Sequence, residues 1–276
     1  MQPIYITDLD HTFLRSNQSV SNYSEKVWNE KAKHAILSVA TARSYQKSQD
    51  FLSRLKLDAP MILLDGTMVV SPEKKLIEVK TVNRELGDAV IFEGAKFDIY
   101  PFIITLNDVK TLGESFLFPT FLNKYQHGVL ENYRNDPRME ECKDIRAKEM
   151  NLKLVYFGSK KILEPLCIHL QKTFGDALEY KLSPEKYSDG WFLTILHPDG
   201  DKAHALTKVM EYLERDIKDV TVFGDSINDI GMFKLAGKSV AVSNALDEVK
   251  KMADIVLPHS NDEDGVAKYL ESVSSI

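Results

Sequence analysis

The stretch Ile4-Tyr5-Ile6-Thr7-Asp8-Leu9-Asp10-His11-Thr12 begins as an apolar, β-prone run and stops abruptly at two aspartates spaced i, i+2. In a strand that spacing sends both side chains to the same side. A buried parallel strand normally reads as continuous Val, Ile and Leu, so carboxylates belong at its carboxyl end. In open α/β sheets ligands bind at that end. Two carboxylates a few ångströms apart repel each other unless a proton or a cation intervenes. A plainer reading has Asp8 capping a turn and Asp10 solvated.

The far end of the chain repeats the pattern. Val220-Thr221-Val222-Phe223-Gly224-Asp225-Ser226-Ile227-Asn228-Asp229 is again a short β-branched strand running into Gly and then acid. Beyond it, Ile230, Met232, Phe233, Leu235 and Ala236 have the spacing of a helix with a partly buried face. A second strand end thus carries Asp225 and Asp229, with Asn228 between them. Placed beside Asp8 and Asp10, these make four carboxylates in one crevice, an array strongly unfavourable without a hard divalent cation. An all-oxygen site with room for water suits Mg²⁺.

With two further stretches, these segments resemble the four motifs of the haloacid dehalogenase superfamily. Asp8-Leu9-Asp10-His11-Thr12 is similar to its first motif, DxDx(T/V). Thr41, ending the apolar run Ile36-Leu37-Ser38-Val39-Ala40, is similar to the second. Lys202, in Asp201-Lys202-Ala203-His204-Ala205-Leu206, is similar to the third, and Gly224 to Asp229 to the fourth. All four stand in the expected order, each in the right strand or helix context. The long insert between the second and third motifs most resembles the class IIB, Cof-type phosphatases, which carry an α/β cap there. Sucrose-phosphate, mannosyl-phosphoglycerate and trehalose-phosphate phosphatases and the phosphomannomutases have a similar cap. The implied fold is α/β: a three-layer, Rossmann-like core with a parallel sheet, formed by 1–82 and 190–276. An inserted α+β cap, 83–189, would select the substrate.

The resemblance also implies a role for each motif residue. Asp8 attacks phosphorus and becomes an aspartyl-phosphate. Asp10 protonates the leaving oxygen and later takes a proton from water. Mg²⁺ is held by Asp8, by the main-chain carbonyl of Asp10 and by Asp225. Asp229 is either a ligand through water or a partner of those ligands. Thr41, Lys202, Asn228 and the backbone N–H groups around Leu9 and Ala42 bind the phosphoryl oxygens. Three departures stand out: His11 and Ala42 replace residues that are usually Gly, and Ala203 or His204 stands where Gly is frequent. His11 is read as lining the cap interface in preference to touching the leaving group.

Composition narrows the alternatives. Hydrophobic content of 43% and charged content of 28% are ordinary for a soluble globular chain. The net charge of −6, from 35 basic and 41 acidic residues, argues against a nucleic-acid or anionic-membrane surface. No apolar run approaches the roughly 20 residues that span a bilayer. The amino terminus enters a strand almost at once, so no signal peptide is expected and the cytoplasm is the expected location. Cys142 and Cys167 fit free thiols. The expected partner is a small phosphorylated substrate, with no nucleic acid and no membrane.

Between the motifs, Ser16 to Ser21 reads as a loop, Ser24 to Lys33 as a short helix, and Ile36 to Ala40 as a second buried strand. Taken alone, Thr41 reads first as the N-cap of a helix over Tyr45 to Leu55, a reading compatible with its facing a phosphoryl oxygen. Met61-Ile62-Leu63-Leu64 is a third strand closed by the turn Asp65-Gly66. Thr67 to Val70 and Leu76 to Val79 flank a hairpin turn at Ser71-Pro72-Glu73-Lys74. Asp65 is read as a turn residue first. From Asn83 the α/β rhythm is lost. Phe102 to Leu106, Leu152 to Phe157 and Leu178 to Leu182 read as strands, with a helix through Ile162, Leu163, Leu166, Cys167 and Leu170. This segment holds Phe116, Phe118, Phe121, Tyr125, Tyr133, Tyr156 and Tyr187, most simply core residues. Arg134 and Arg138 read as a solvated loop. Trp191 to Leu196 reads as the return to the core, and strands follow at Ser239 to Val242 and Asp254 to Leu257.

Three other functions compete. A phosphomutase would pass the same phosphoaspartate to a sugar instead of water. A phosphoacceptor module of the receiver type also uses an aspartate, Mg²⁺ and a lysine, but lacks the second aspartate at i+2 and the insert. A silent binding protein would be expected to have lost a motif residue, and none is missing.

Overall fold

Ile4–Thr7 forms a fully buried strand, β1. The computed structural model describes residues 1–185 and 190–273, so Tyr187 lies outside the described residues. Two compact units divide the chain, one made of 1–78 with 201–276 and the other of 79–200. After β1 come α1 (Asn22–Lys31), β2 (Ile36–Val39), α2 (Tyr45–Leu52), β3 (Met61–Leu63), β4 (Met68–Val70) and β5 (Leu76–Val79). Ser21 and Ser44 accept from the backbone N–H groups of Ser24 and Lys47, so each opens a helix. The cap of α2 is therefore Ser44. The hydroxyl of Thr41, three residues earlier, instead accepts from the Arg43 N–H at 3.1 Å.

The second unit holds α3 (Arg84–Ala95), β6 (Phe102–Asp108), β7 (Gly113–Pro119), α4 (Lys124–Glu131), β8 (Met139–Cys142), β9 (Asn151–Gly158), α5 (Lys160–Phe174), β10 (Glu179–Glu185) and β11 (Gly190–Leu196). Its six strands pair in the order β10-β11-β9-β6-β7-β8. Val90 and Ile91 of α3 and Leu163, Leu166 and Leu170 of α5 pack with Ile103, Leu154, Leu193 and Ile195 in one apolar cluster. That placement corrects the reading of Trp191 to Leu196. This strand pairs antiparallel with β9 and β10, so it belongs to the 79–200 unit and is not the return to the parallel sheet. It is apolar at almost every position because Leu193 and Ile195 enter that cluster while Phe192 meets Phe157 on the other face. Arg138 is also corrected. It is 8% exposed, paired with Glu114 at 2.8 Å and Asp136 at 2.7 Å, and stacked on Phe116. Arg134 is exposed and pairs with Glu131.

The chain re-enters the first unit with α6 (Lys202–Tyr212), followed by β12 (Val220–Gly224), α7 (Ile230–Leu235), β13 (Lys238–Ala241), α8 (Asp247–Met252), β14 (Ile255–Val256) and α9 (Gly265–Ser272). Five of its strands form one parallel sheet in the order β14-β13-β12-β1-β2. β1 sits between β12 and β2, with Thr7 opposite both Phe223 and Val39. Ile4, Ile6, Leu37, Val39, Val222, Phe223 and Val240 are buried. Each such side chain contributes roughly 1.5–3 kcal/mol on burial, which favours runs apolar on both faces at the sheet centre. Helices α1 and α9 pack together, as do α6 and α7. Among the described residues no helix is long and apolar enough to cross a membrane.

Candidate active site

The register of the parallel sheet brings the two acidic stretches together. Asp8 follows Thr7 and donates its N–H to the Phe223 carbonyl at 3.0 Å, and Ala40 donates to the Thr7 carbonyl at 2.9 Å. The carboxyl ends of β1, β12 and β2 thus meet, and Asp8, Asp225 and Thr41 project from adjacent chain ends. Asp8, Asp225 and Asp229 are 5%, 1% and 0% exposed, and one oxygen from each lies within 4.8 Å of the others.

Lys202, fully buried in the first turn of α6, bridges two of them. Its Nζ lies 2.7 Å from Asp8 Oδ1 and 2.7 Å from Asp229 Oδ1. The second Asp229 oxygen accepts from the Asp225 and Ser226 N–H groups, both at 3.0 Å. Thr12 Oγ1 donates to Asp225 Oδ1 at 2.9 Å. Gly224 permits the arrangement, because a Cβ there would fall 2.5 Å from Asp229 Cγ.

Charge is out of balance in this cluster. With all three carboxylates ionised, one ammonium leaves two negative charges in an almost fully buried cluster. Burial pushes the Asp8 carboxyl well above its ordinary range; Lys202 opposes the shift, while Asp229, Asp225 and Asp10 add to it. Burial alone would lower the Lys202 ammonium, but Asp229 and Asp8 outweigh it and hold the group charged. An all-oxygen donor set with an excess of two negative charges fits a hard divalent cation.

The other predicted residues take distinct places. The Asp10 side chain stands outside the cluster, its two oxygens forked by Arg43, with Nε at 2.7 Å and Nη2 at 2.5 Å. Thr41 is fully buried, Leu9 is buried and Ala42 is half-buried. Asn228 donates Nδ2 to Asp65 Oδ1 at 2.9 Å, and its own Oδ1 is buried with no hydrogen-bond partner among the described residues. His11 has φ of 56°, a left-handed backbone that accounts for Gly being usual there. Ala42 is not left-handed, so a Cβ there costs nothing in backbone strain. The sequence alone does not mark Arg43, Thr12 or Asp65 as site residues. The one signal for Arg43 was its place two residues after Thr41.

The sequence profile of the haloacid dehalogenase-like hydrolases matches residues 5–270. A 5-amino-6-(5-phospho-D-ribitylamino)uracil phosphatase of Bacillus subtilis is 25% identical over 286 aligned positions, covering 97% of this chain and 96% of the relative. A phosphoglycolate phosphatase of Methanopyrus kandleri is 25% identical, covering 99% and 97%. The crystal structure of a haloacid dehalogenase-like hydrolase from Bacteroides thetaiotaomicron superposes with a TM-score of 0.79 at 22% identity, covering 98% of this chain and 99% of that one. The chain belongs to the haloacid dehalogenase-like hydrolases and is a phosphatase of that family.

Proposed function

We propose that the protein is a Mg²⁺-dependent phosphatase that hydrolyses a small phosphorylated metabolite, a sugar phosphate or related phosphomonoester, through an aspartyl-phosphate on Asp8. The observation that carries this reading is the buried Asp8–Lys202–Asp229 bridge with Asp225 beside it. Asp8, Asp225 and the main-chain carbonyl of Asp10 would hold the cation, with Asp229 behind them. When bound, Mg²⁺ supplies positive charge that neutralises the phosphoryl group and the attacking carboxylate.

The chain's own residues supply the rest. Lys202 opposes the burial that disfavours the Asp8 carboxylate and adds a fixed positive charge to the site. Asp8 attacks phosphorus in line, forming an acyl phosphate as the ester oxygen leaves. Asp10 gives that oxygen its proton, then removes one from the water that cleaves the acyl phosphate. Thr41, Asn228 and the N–H groups around Leu9 and Ala42 hold the phosphoryl oxygens. The inserted 79–200 unit is assigned the choice of substrate, as in the capped phosphatases that the sequence resembles. The named substrates of the two relatives are both small phosphate esters, which supports the substrate class. The free thiols Cys142 and Cys167 fit action in the cytoplasm.

Purified protein supplied with Mg²⁺ and an aryl phosphate should release phosphate, and Asp8→Asn should abolish release while its circular dichroism stays native. Full turnover by that variant, or by protein in excess chelator, would refute the mechanism.

A further inference from the structure

The turn Leu64-Asp65-Gly66 is built against ordinary backbone preference. Its residues have φ of 50°, 65° and 113°, a region only glycine enters freely. Backbone contacts hold it there. Leu64 donates its N–H to the Arg43 carbonyl and Asp65 donates to the Thr41 carbonyl, both at 3.0 Å. Gly66 lies so close to the start of α6 that a Cβ would fall 2.1 Å from the Asp201 carbonyl oxygen and 2.6 Å from Lys202 N. The turn is thus wedged between the stretch that carries Thr41 and the helix start that carries Lys202. Its Asp65 carboxylate, 7% exposed, receives the Asn228 amide.

An ionised carboxylate only accepts hydrogen bonds, whereas an amide has one accepting and one donating end. Turned over about its last torsion, Asn228 would set Oδ1 against Asp65, acceptor to acceptor. Asp65 therefore decides which end of the amide it receives. The orientation does not satisfy every atom of Asn228, because Oδ1 stays buried without a partner among the described residues. Asp65 imposes it at that expense. Of the two Nδ2 hydrogens one goes to Asp65, and the other remains for a ligand. A carbonyl oxygen in its place would repel an anion.

We propose that Asp65 is a positioning residue, fixing the Asn228 amide so that its second N–H donates to a phosphoryl oxygen. This rests on the phosphatase reading above. The residue acts through Asn228 and touches neither substrate nor metal.

The test is calorimetric titration of inorganic phosphate into the full chain at saturating Mg²⁺, with Mg²⁺ titrated separately. Asp65→Gly removes the carboxylate while keeping the turn, since glycine adopts this backbone without strain. It is expected to weaken phosphate binding about tenfold, the loss of one well-aimed bond to an anion, and to leave Mg²⁺ affinity unchanged. Asp65→Asn, which keeps the left-handed backbone, should lose part of the affinity, because an amide at 65 can pair with either end of Asn228 and no longer dictates its orientation. Asn228→Ala should lose as much as Asp65→Gly, and the double variant no more than Asn228→Ala alone. Unchanged phosphate affinity in Asp65→Gly, or additive losses in the double variant, would overturn the inference. Should Asp65→Gly fail to fold, unchanged phosphate affinity in Asn228→Ala overturns it equally. If the unaltered chain binds neither Mg²⁺ nor phosphate, the failure is that of the phosphatase reading instead.

Discussion

Arg43 forks its guanidinium onto the Asp10 carboxylate, Nε on one oxygen and Nη2 on the other, while also donating to Gln18 Oε1 at 3.0 Å. The same guanidinium lies over the Phe51 ring. Asp10 is thus held at a defined place beside the carboxylate cluster without joining it. A planar bidentate clamp of this kind cannot be reproduced by lysine.

Loss of the clamp should therefore cost the step in which the leaving oxygen is protonated. Arg43→Ala and Arg43→Lys are expected to lower kcat/KM for an alkyl phosphate by about ten- to a hundredfold, a fraction of what a general acid contributes. An aryl phosphate, whose leaving group needs little protonation, should lose much less. Rates for a series of leaving groups check this; equal losses across the series would show that Arg43 does not act through Asp10.

The raised Asp8 carboxyl makes stability without metal depend on pH. Its folded value lies above the unfolded value of about 4, so the folded chain keeps a proton that the unfolded chain releases. The contribution of this group is complete below about pH 4 and is lost as pH rises through the folded value. Mg²⁺ should offset that loss. The increase in Tm on adding Mg²⁺ to chelator-treated protein is expected to be larger at pH 8 than at pH 5. An equal increase at both would mean that Asp8 carries no such penalty.

Gly224→Ala is expected to damage the site from beneath. The new methyl would fall within 2.6 Å of Asp229 Oδ2, so either the strand end or the carboxylate must move. Both moves break the bonds from the Asp225 and Ser226 N–H groups. A destabilisation of about 1–3 kcal/mol is expected, together with weaker Mg²⁺ binding by calorimetry. Gly128→Ala, in helix α4 with nothing within 4 Å of its Cβ position among the described residues, should instead stabilise by about 0.5–1 kcal/mol. Denaturant titration of the two variants measures the contrast.

What the sequence made legible was local. Ile4 to Thr7 and Val220 to Phe223 are β-branched or aromatic runs followed at once, or after Gly224, by acid, and buried parallel strands place such ends side by side. What it left hidden depends on contacts between distant residues. Asn228 and Asp65 are 163 positions apart and Thr12 and Asp225 are 213 apart, so no local pattern links them. Strand β8, Met139–Cys142, carries two exposed acids in four residues and has no apolar alternation to find. Trp191 to Leu196 misled for the opposite reason: packed on both faces, it reads like a central parallel strand although its partners are antiparallel.

Asp10→Asn separates the two chemical steps. Because the Asp10 carboxylate lies with Arg43 and outside the Asp8–Asp225–Asp229 group, Mg²⁺ affinity should be nearly unchanged. An aryl phosphate needs little help in leaving, so attack by Asp8 should survive in part. Cleavage of the aspartyl-phosphate still needs a base to activate water, and an amide cannot serve. Attack should then outrun hydrolysis and phosphoenzyme should accumulate. Rapid mixing is expected to show a burst of aryl alcohol approaching one equivalent per site, followed by a slow steady rate. Intact mass should rise by one phosphoryl group, located on Asp8. Wild-type turnover would remove Asp10 from the mechanism. Inactivity with collapsed Mg²⁺ affinity would make its side chain a metal ligand, against the clamped position it holds here.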